Sequence, residues 1–118
     1  MDANQRKVAG VVFLHGSGDS GDGFKNWICS ANGAFLTSLL ERGFGYRFPS
    51  ASPIPYTLCG GELMNVWHDR TGLDVNAPED TEGVLKSIEF IEKSIEELLM
   101  EGVPQHSIYL VGLSKFRF

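Results

Sequence analysis

VAGVVFLHGSGDSGDGF, residues 8–24, joins a continuous apolar run to a loop rich in glycine. A short apolar run without alternation is typical of a strand that is buried on both faces of a parallel sheet. We therefore predict a central strand over residues 8–14, with the glycine-rich loop at its carboxyl end. Arg6 and Lys7 stand directly before the run, and this charge marks where the strand begins.

The strongest helical signal lies further along, at residues 78–101, where apolar residues recur three and four positions apart. The stripe consists of Val84, Ile88, Ile91, Ile95 and Leu98, widened by Leu85 and Leu99. Pro78 followed by acidic residues predicts the start of this helix, and Gly102 followed by Pro104 predicts its end.

Three further segments complete the predicted pattern. A shorter helix is expected at residues 32–42, and strands are expected at 44–49 (FGYRFP) and 107–111 (SIYLV), the last with the same buried character as the first. Strands that alternate with helices indicate an α/β protein with a parallel sheet, in which the strand at 8–14 lies between the other two. Residues 50–78 show no periodicity and are predicted to form a long loop that lines a site.

Composition excludes several classes of function. Fifteen acidic against ten basic residues give a formal net charge of −5, so a nucleic-acid backbone would be repelled. The apolar run at 8–14 is far shorter than the roughly 20 residues that span a membrane, and stable membrane insertion is not expected. Cys29 and Cys59 lie in no metal-ligand spacing, and a cytoplasmic location is the simplest expectation.

The glycine-rich loop fits two phosphate-binding patterns only in part. Gly16, Gly18 and Gly21 satisfy the dinucleotide fingerprint G-x-G-x-x-G. That fingerprint needs a helix at its third glycine and an acidic residue after the next strand. The residues after Gly21 make a poor first turn, and Glu41 falls on the predicted helix. A Walker loop is weaker still, because Phe24 stands where its lysine is required.

A third interpretation treats His15–Gly18 as an oxyanion loop, whose backbone N–H groups stabilise the alkoxide of a tetrahedral intermediate. The alternative is a tight surface turn without a role. The end of the last predicted strand bears on this choice, because Gly112, Leu113 and Ser114 form the first half of a nucleophile elbow, Gly-x-Ser-x-Gly. Phe116 replaces the second glycine.

Taken together, these segments resemble the acyl-protein thioesterase and lysophospholipase-like group of α/β-hydrolases. The resemblance rests on four segments and the long helix, and it covers most of residues 8–114. The segments are VVFLHGSGDSGDGF at 11–24, FPSASP with YT at 48–57, GGELMNVWHDR at 60–70 and GLS at 112–114. FLHGSGDSG with NVWHDR is most similar to the lysophospholipase-like branch.

The resemblance implies a role for each matching residue. Ser114 would be the nucleophile, and the backbone N–H groups of Ser17 and Lys115 would form the oxyanion hole. Trp67 and Asp69 would lie near the groove that binds the acyl chain; the alternative is a buried aromatic ring and a carboxylate that stabilises a turn. No metal and no cofactor are implied.

The three histidines are expected to have structural rather than catalytic roles. His15 is expected to brace the loop by hydrogen bonding rather than to act as a base. His68 and His106 are expected on the surface.

The implied activity is hydrolysis of long-chain acyl esters or thioesters, with an acylated protein or a lysophospholipid as substrate. The hydrolase triad runs Ser, Asp or Glu, then His, yet only Lys115 to Phe118 follow Ser114 in this sequence. We therefore expect residues 1–118 to be a single, C-terminally truncated α/β-hydrolase domain that is inactive by itself. The alternative is a non-catalytic fragment that binds acyl chains or a partner. Self-association through an exposed sheet edge is expected in either case.

Overall fold

A computed structural model describes residues 7–113, so Ser114 and Lys115 lie outside the described residues. In chain order the elements are β1 (Ala9–Leu14), α1 (Gly21–Ala31), α2 (Phe35–Glu41), β2 (Phe44–Arg47), β3 (Pro53–Tyr56), β4 (Glu62–Asn65), α3 (Thr81–Met100) and β5 (Ile108–Gly112). Short 3₁₀ turns occupy Thr57–Cys59 and Gln105–Ser107.

The strands β2, β1 and β5 form a parallel sheet in that order, which confirms the predicted α/β class and the central place of the first strand. Gly10 of β1 pairs with Gly45 on one side and with Ile108 on the other. Because β1 is covered on both edges and both faces, Val12 is fully buried and Phe13 is 4% exposed.

Alternate residues of β1 supply two separate parts of the core, because successive side chains of a strand point to opposite faces. Val11 and Phe13 pack with Phe24 of α1 and with residues of α2. Val12 packs on the other face with Leu98 of α3 and with Val103. The sheet therefore lies between α1 and α2 on one side and α3 on the other.

The first helix, α1, was not predicted, and it begins at Gly21. The hydroxyl of Ser20 caps it by accepting a hydrogen bond from the N–H of Gly23 at 2.9 Å. A Cβ atom on Gly21 would lie 2.0 Å from the carbonyl oxygen of Phe48, so the helix approaches the chain after β2 more closely than any side chain allows. The expectation of a poor first turn is wrong because the cap and this contact outweigh low helix propensity.

The second helix is shorter than the predicted span of 32–42. Asn32 is the C-cap of α1, and its N–H donates to the carbonyl of Ile28. Its side-chain oxygen also accepts from the N–H of Ala34 at 3.1 Å. These bonds make residues 32–34 a connection between two helices, and α2 begins only at Phe35.

The long helix α3 begins at Thr81 rather than at residue 78, because Asp80 is its N-cap and accepts from the N–H of Gly83. The predicted apolar stripe is buried only near the end of the helix. Leu98 is fully buried against β1, whereas Ile88 is 41% exposed. Within residues 7–113 the earlier part of the stripe is therefore left partly exposed.

The predicted loop at 50–78 contains a hairpin. β3 and β4 pair antiparallel, from Pro53 opposite Asn65 to Tyr56 opposite Glu62. Proline donates no N–H to a ladder, and sequence periodicity is weak in a four-residue strand that contains two prolines. The expectation of a segment without regular structure is wrong here, although residues 66–78 do form a loop.

The last strand, β5, differs from β1 in burial, which corrects the expectation of similar character. Tyr109 and Leu110 are each 54% exposed. Within the described part of the chain, β5 has a neighbouring strand on one side only, so its other edge and much of its side-chain surface face solvent.

Candidate active site

The loop after β1 holds two backbone N–H groups ready for a ligand. Gly18 adopts a positive φ of 84°, and its N–H donates to the carbonyl of Asn65 at 3.0 Å. The N–H of Asp19 donates to Gly16 at 3.2 Å and closes the turn. The N–H groups of Gly16 and Ser17 have no protein acceptor in residues 7–113. An oxyanion loop requires such unoccupied donors.

His15 fixes the position of this loop. Its side chain is 1% exposed, and its Nε2 accepts a hydrogen bond from the N–H of Ala51 at 3.0 Å. The proton must then be on Nδ1, which lies 2.7 Å from the carbonyl oxygen of Gly16 and donates to it. Both ring nitrogens are occupied, so the structure confirms the expected bracing role.

Trp67 packs against the same histidine. The indole Nε1 donates to the carbonyl oxygen of His15 at 2.8 Å, and the two rings are 4.8 Å apart. The carbonyl of Trp67 in turn accepts from the hydroxyl of Ser87 in α3. Trp67 therefore connects the loop after β1 to the long helix.

The end of β5 reaches the same place. The N–H of Leu113 donates to the carbonyl oxygen of Leu14 at 3.0 Å, which continues the pairing between the two strands. The predicted nucleophile Ser114 is the next residue in the chain. Ser114 and the predicted oxyanion donor Lys115 lie outside the described residues, so both roles stay predictions.

A pocket of about 170 Å³ is bounded by these elements. Its lining is mostly polar and consists of His15, Gly16, Ser17, Trp67, His68, Arg70 and Leu113. The structure thus brings Ser17 and Trp67 together beside the residue that precedes Ser114. His68 lines this pocket and is partly exposed, and His106 is exposed as predicted.

Asp69 points to another part of the loop and does not line this pocket. Its carboxylate accepts from the hydroxyl of Thr57 at 2.6 Å and from the N–H of the same residue at 2.8 Å. These two hydrogen bonds, the hydroxyl first, hold the pKa of Asp69 below its ordinary value. The arrangement matches the turn-stabilising alternative.

An apolar groove of about 350 Å³ begins on the other side of Leu113. It lies between β1, the end of β5 and the helices α1 and α2. Its lining includes Phe13, Phe24, Trp27, Ile28, Phe35 and Val111. Leu113 is therefore shared by a polar pocket and an apolar groove.

The structure meets one requirement of the dinucleotide fingerprint, the helix at its third glycine, but not the acidic residue after the next strand. A helix does begin at the third glycine of the fingerprint, Gly21. However, β2 ends at Arg47, which pairs with Glu97 and Glu101 of α3, where the fingerprint requires an acidic side chain. Glu41 ends α2 instead. The loop therefore lacks a partner for the ribose.

Sequence reasoning missed several residues that build the site. Ala51 and Asn65 hold His15 and Gly18 through backbone groups, which no side-chain pattern reports, and the side-chain amide of Asn65 also donates to the carbonyl oxygen of Ala51 at 2.8 Å. Arg70 ends the motif GGELMNVWHDR, and the sequence pattern alone indicates no role for it. The available signal was the position of Arg70 directly after Trp67 and two polar residues in the same motif.

Comparison with known proteins identifies the family to which this chain belongs. A sequence profile described as phospholipase/carboxylesterase matches residues 1–115. The chain belongs to the phospholipase/carboxylesterase family. It is 33% identical over 109 residues to mouse lysophospholipase-like protein 1, covering 92% of this chain and 44% of that protein. It is 38% identical over 116 residues to acyl-protein thioesterase 1 of Yarrowia lipolytica, covering 98% and 49% respectively.

Solved structures agree with this assignment. The crystal structure of Arabidopsis thaliana SOBER1 superposes with a TM-score of 0.72 at 26% identity, over 92% of this chain and 50% of that one. The chain spans about half the length of the curated relatives it matches. Its sheet and helices therefore form part of an α/β-hydrolase fold, as the family resemblance implied.

The described residues contain neither a membrane-spanning helix nor a cluster of metal ligands. No helix within residues 7–113 is long and apolar enough to cross a bilayer. In the same span, no three His, Cys, Asp or Glu side chains converge in a way that would hold a metal ion.

Proposed function

We propose that this chain supplies the nucleophilic serine and the oxyanion loop of a serine hydrolase for long-chain acyl esters or thioesters. One observation carries the proposal. The N–H groups of Gly16 and Ser17 have no protein acceptor in residues 7–113, and they line the same pocket as Leu113, the residue before Ser114. In a hydrolase, the nucleophile and the oxyanion donors must both lie within reach of the same substrate carbonyl group.

The proposed chemistry is acyl transfer through a serine nucleophile. The Oγ of Ser114 attacks the acyl carbonyl, and its proton passes to a base, for which we assign no residue within 1–118. The N–H groups of Ser17 and Lys115 stabilise the oxyanion of the tetrahedral intermediate. Collapse of the intermediate releases the alcohol or thiol and leaves an acyl-serine, which water then hydrolyses.

The substrate class rests on the relatives and on the groove. The relatives are named as an acyl-protein thioesterase and a lysophospholipase-like protein, which supports an acylated protein or a lysophospholipid as substrate. The apolar groove beyond Leu113 has the character required for an acyl chain. Cys29 and Cys59 are both free thiols, which supports a reducing compartment such as the cytoplasm.

A chimaera tests the proposal. Residues 1–115 replace the matching half of the Yarrowia lipolytica thioesterase, whose remaining half follows Lys115 and supplies the rest of the fold. We expect labelling by a fluorophosphonate probe and hydrolysis of a fluorogenic acyl thioester, both abolished by Ser114→Ala. A folded chimaera that neither labels nor hydrolyses would contradict the proposal.

A polypeptide of residues 1–118 alone serves as the second arm. Without a base to accept its proton, the serine is expected to react slower by about 10⁶-fold, as in serine hydrolases that lack their triad partners. Probe labelling of Ser114 in this polypeptide at the rate of an intact hydrolase would show that a base is present within these residues.

A second candidate function is non-catalytic binding of acyl chains, favoured by the groove of about 350 Å³ lined by Phe13, Phe24 and Trp27. Trp27 is 58% exposed and gives a fluorescence signal for occupancy. Saturable quenching by a spin-labelled fatty acid, lost on replacing Phe24 with Asp, is the expected result. Equal quenching in both proteins would remove this candidate.

A further inference from the structure

The polar pocket beside the oxyanion loop has few side chains with hydrogen-bonding capacity left. Both ring nitrogens of His15 are bonded, and Nε1 of Trp67 is bonded. His68 uses Nδ1, which donates to the carbonyl oxygen of Asp69 at 2.9 Å. The donors that remain in the lining are the hydroxyl of Ser17, the guanidinium of Arg70 and the backbone N–H groups already assigned to the oxyanion.

Arg70 stands at this pocket without an internal partner. Within residues 7–113 its guanidinium forms no ion pair, in contrast to Arg47, which pairs with two glutamates. Its backbone is held by a bridge to Glu79, so the residue has a fixed place beside the pocket. An arginine with unused donors in a concave site is suited to a phosphate or carboxylate group.

Two of the neighbouring acidic side chains, those of Asp69 and Asp80, have other partners. Asp69 is bonded through both oxygens to Thr57. Asp80 accepts from Gly83 with one oxygen and from the N–H of Asp69 with the other. Within residues 7–113 no acidic residue lines the polar pocket, although Asp69, Asp74, Glu79 and Asp80 line a second cavity, which Arg70 also lines.

The size of the pocket limits what it can hold. A cavity of about 150 Å³ accommodates a molecule as large as benzene, and this pocket of about 170 Å³ is comparable. A long acyl chain would not fit, whereas a glycerol phosphate is of suitable size. In a chain of net charge −5, an unpaired basic residue at such a pocket attracts a small anion locally.

We propose that Arg70 is a specificity-determining residue that binds a phosphate group on the alcohol side of an acyl ester. The inference rests on the proposed function, because it uses the oxyanion loop to orient the ester. The acyl chain then extends toward the apolar groove beyond Leu113, and the phosphate lies against Arg70. Acyl esters that carry a phosphate are preferred over uncharged ones.

Binding to the full 118-residue chain tests the inference without catalysis. Isothermal titration calorimetry is carried out with glycerol 3-phosphate, inorganic phosphate and glycerol. We expect glycerol 3-phosphate to bind, glycerol not to bind, and Arg70→Gln to weaken binding roughly ten-fold or more. Arg70→Lys keeps the charge and should recover part of this loss, and Arg42→Gln is the control because Arg42 is exposed and distant in sequence.

Several results would overturn the inference. They are undetectable binding of glycerol 3-phosphate by a chain with folded circular dichroism, equal binding by Arg70→Gln, and inorganic phosphate binding as tightly as the glycerol ester. The last result would indicate an anion site unrelated to ester recognition.

The chimaera separates this inference from the proposed function. In it, Arg70→Gln should lower kcat/KM at least roughly ten-fold more for lysophosphatidic acid than for a monoacylglycerol of the same chain length. An inactive chimaera combined with Arg70-dependent binding contradicts the hydrolase proposal alone. An active chimaera with the same substrate ratio in both variants contradicts the role of Arg70 alone.

Discussion

Asp69 and Thr57 join the hairpin to the loop that carries Trp67, and this pair gives the first prediction. Replacing Asp69 with Asn removes the charge from two short hydrogen bonds. Because the pair is near the surface, we expect a loss of only about 0.5–1 kcal/mol in the free energy of unfolding. Urea denaturation measures it, and Thr57→Val in a double-mutant cycle isolates the pair. Additive effects of the two substitutions would contradict the coupling.

The same pair predicts a pH dependence. The pKa of Asp69 is lower in the folded chain than its ordinary value, so its stabilisation is fully present above the ordinary pKa. It is lost as the pH falls through the lowered pKa, because the carboxylate becomes protonated. The stability difference between the wild-type chain and Asp69→Asn should therefore decrease on acidification, and a constant difference would show that the charge has no role.

Replacement of Tyr56 is predicted to change stability in the opposite direction from replacement of Asp69. Its side chain is fully buried, and its hydroxyl has no hydrogen-bond partner within residues 7–113. Removing an unsatisfied buried hydroxyl relieves a desolvation penalty, so Tyr56→Phe should keep or raise stability, by up to about 1 kcal/mol. Tyr109→Phe is the control, because Tyr109 is half-exposed. A clear loss of stability specific to Tyr56→Phe would mean that the hydroxyl has a partner.

Individual site residues were predictable where a motif and a backbone turn coincide. Ser17 and Trp67 line the polar pocket, whereas the resemblance implied that Trp67 lies near the acyl-binding groove; their contact with a substrate stays a prediction. Asp69 could not be assigned from sequence, because a carboxylate that binds a substrate and one that holds a turn have the same pattern. Only its two bonds to Thr57 distinguish them.

Among the elements, α1 depends on the close approach of Gly21 to the chain after β2. In Gly21→Ala the new Cβ would meet the carbonyl oxygen of Phe48 at 2.0 Å, and backbone cannot move aside without disturbing β2. We expect a loss of several kcal/mol, in the range of severe overpacking, measured by thermal unfolding. Gly33→Ala is the control, because its Cβ would be 3.7 Å from the nearest atom. Equal stability of both variants would contradict this packing.

The helix α3 depends on one buried leucine. Leu98→Ala removes a fully buried side chain that packs with Val12 and Val103, so we expect a loss of about 2–5 kcal/mol. Leu99→Ala, on the same helix and 38% exposed, should lose far less. Denaturant midpoints of the two variants provide the measurement, and similar midpoints would show that α3 does not pack on β1 as described.

Among the helices and strands, the sequence predicted those with a long periodic pattern or a continuous apolar run. The strand β1 and the helix α3 have such signals, and both were found within three residues of the predicted ends. The helix α1 and the hairpin of β3 and β4 were missed because contacts with other segments stabilise them. Gly21, Pro53 and Pro55 each disfavour by propensity the element that contains them.

For the whole molecule within residues 7–113, β2 and β5 are the two edges of the parallel sheet, and β5 is the more exposed of them. Its backbone groups and the half-exposed Leu110 favour pairing with another chain. We expect the 118-residue chain to associate as its concentration rises, measured by sedimentation velocity. Leu110→Lys should reduce association, and Val75→Lys, at a 96% exposed loop position, should not. A wild-type chain that stays monomeric throughout would contradict the prediction.

The pairing of β1 with β5 also has a consequence for how the chain folds during synthesis. Gly10 meets Ile108 only after roughly a hundred further residues have been translated, which takes about 5–20 seconds at about 5–20 residues per second. β2 is complete much earlier and covers one edge of β1. During this interval the nascent sheet has only two strands. Its face around Val12 stays uncovered until α3 emerges from the ribosome. A holding chaperone would therefore have the most apolar surface to bind during this interval.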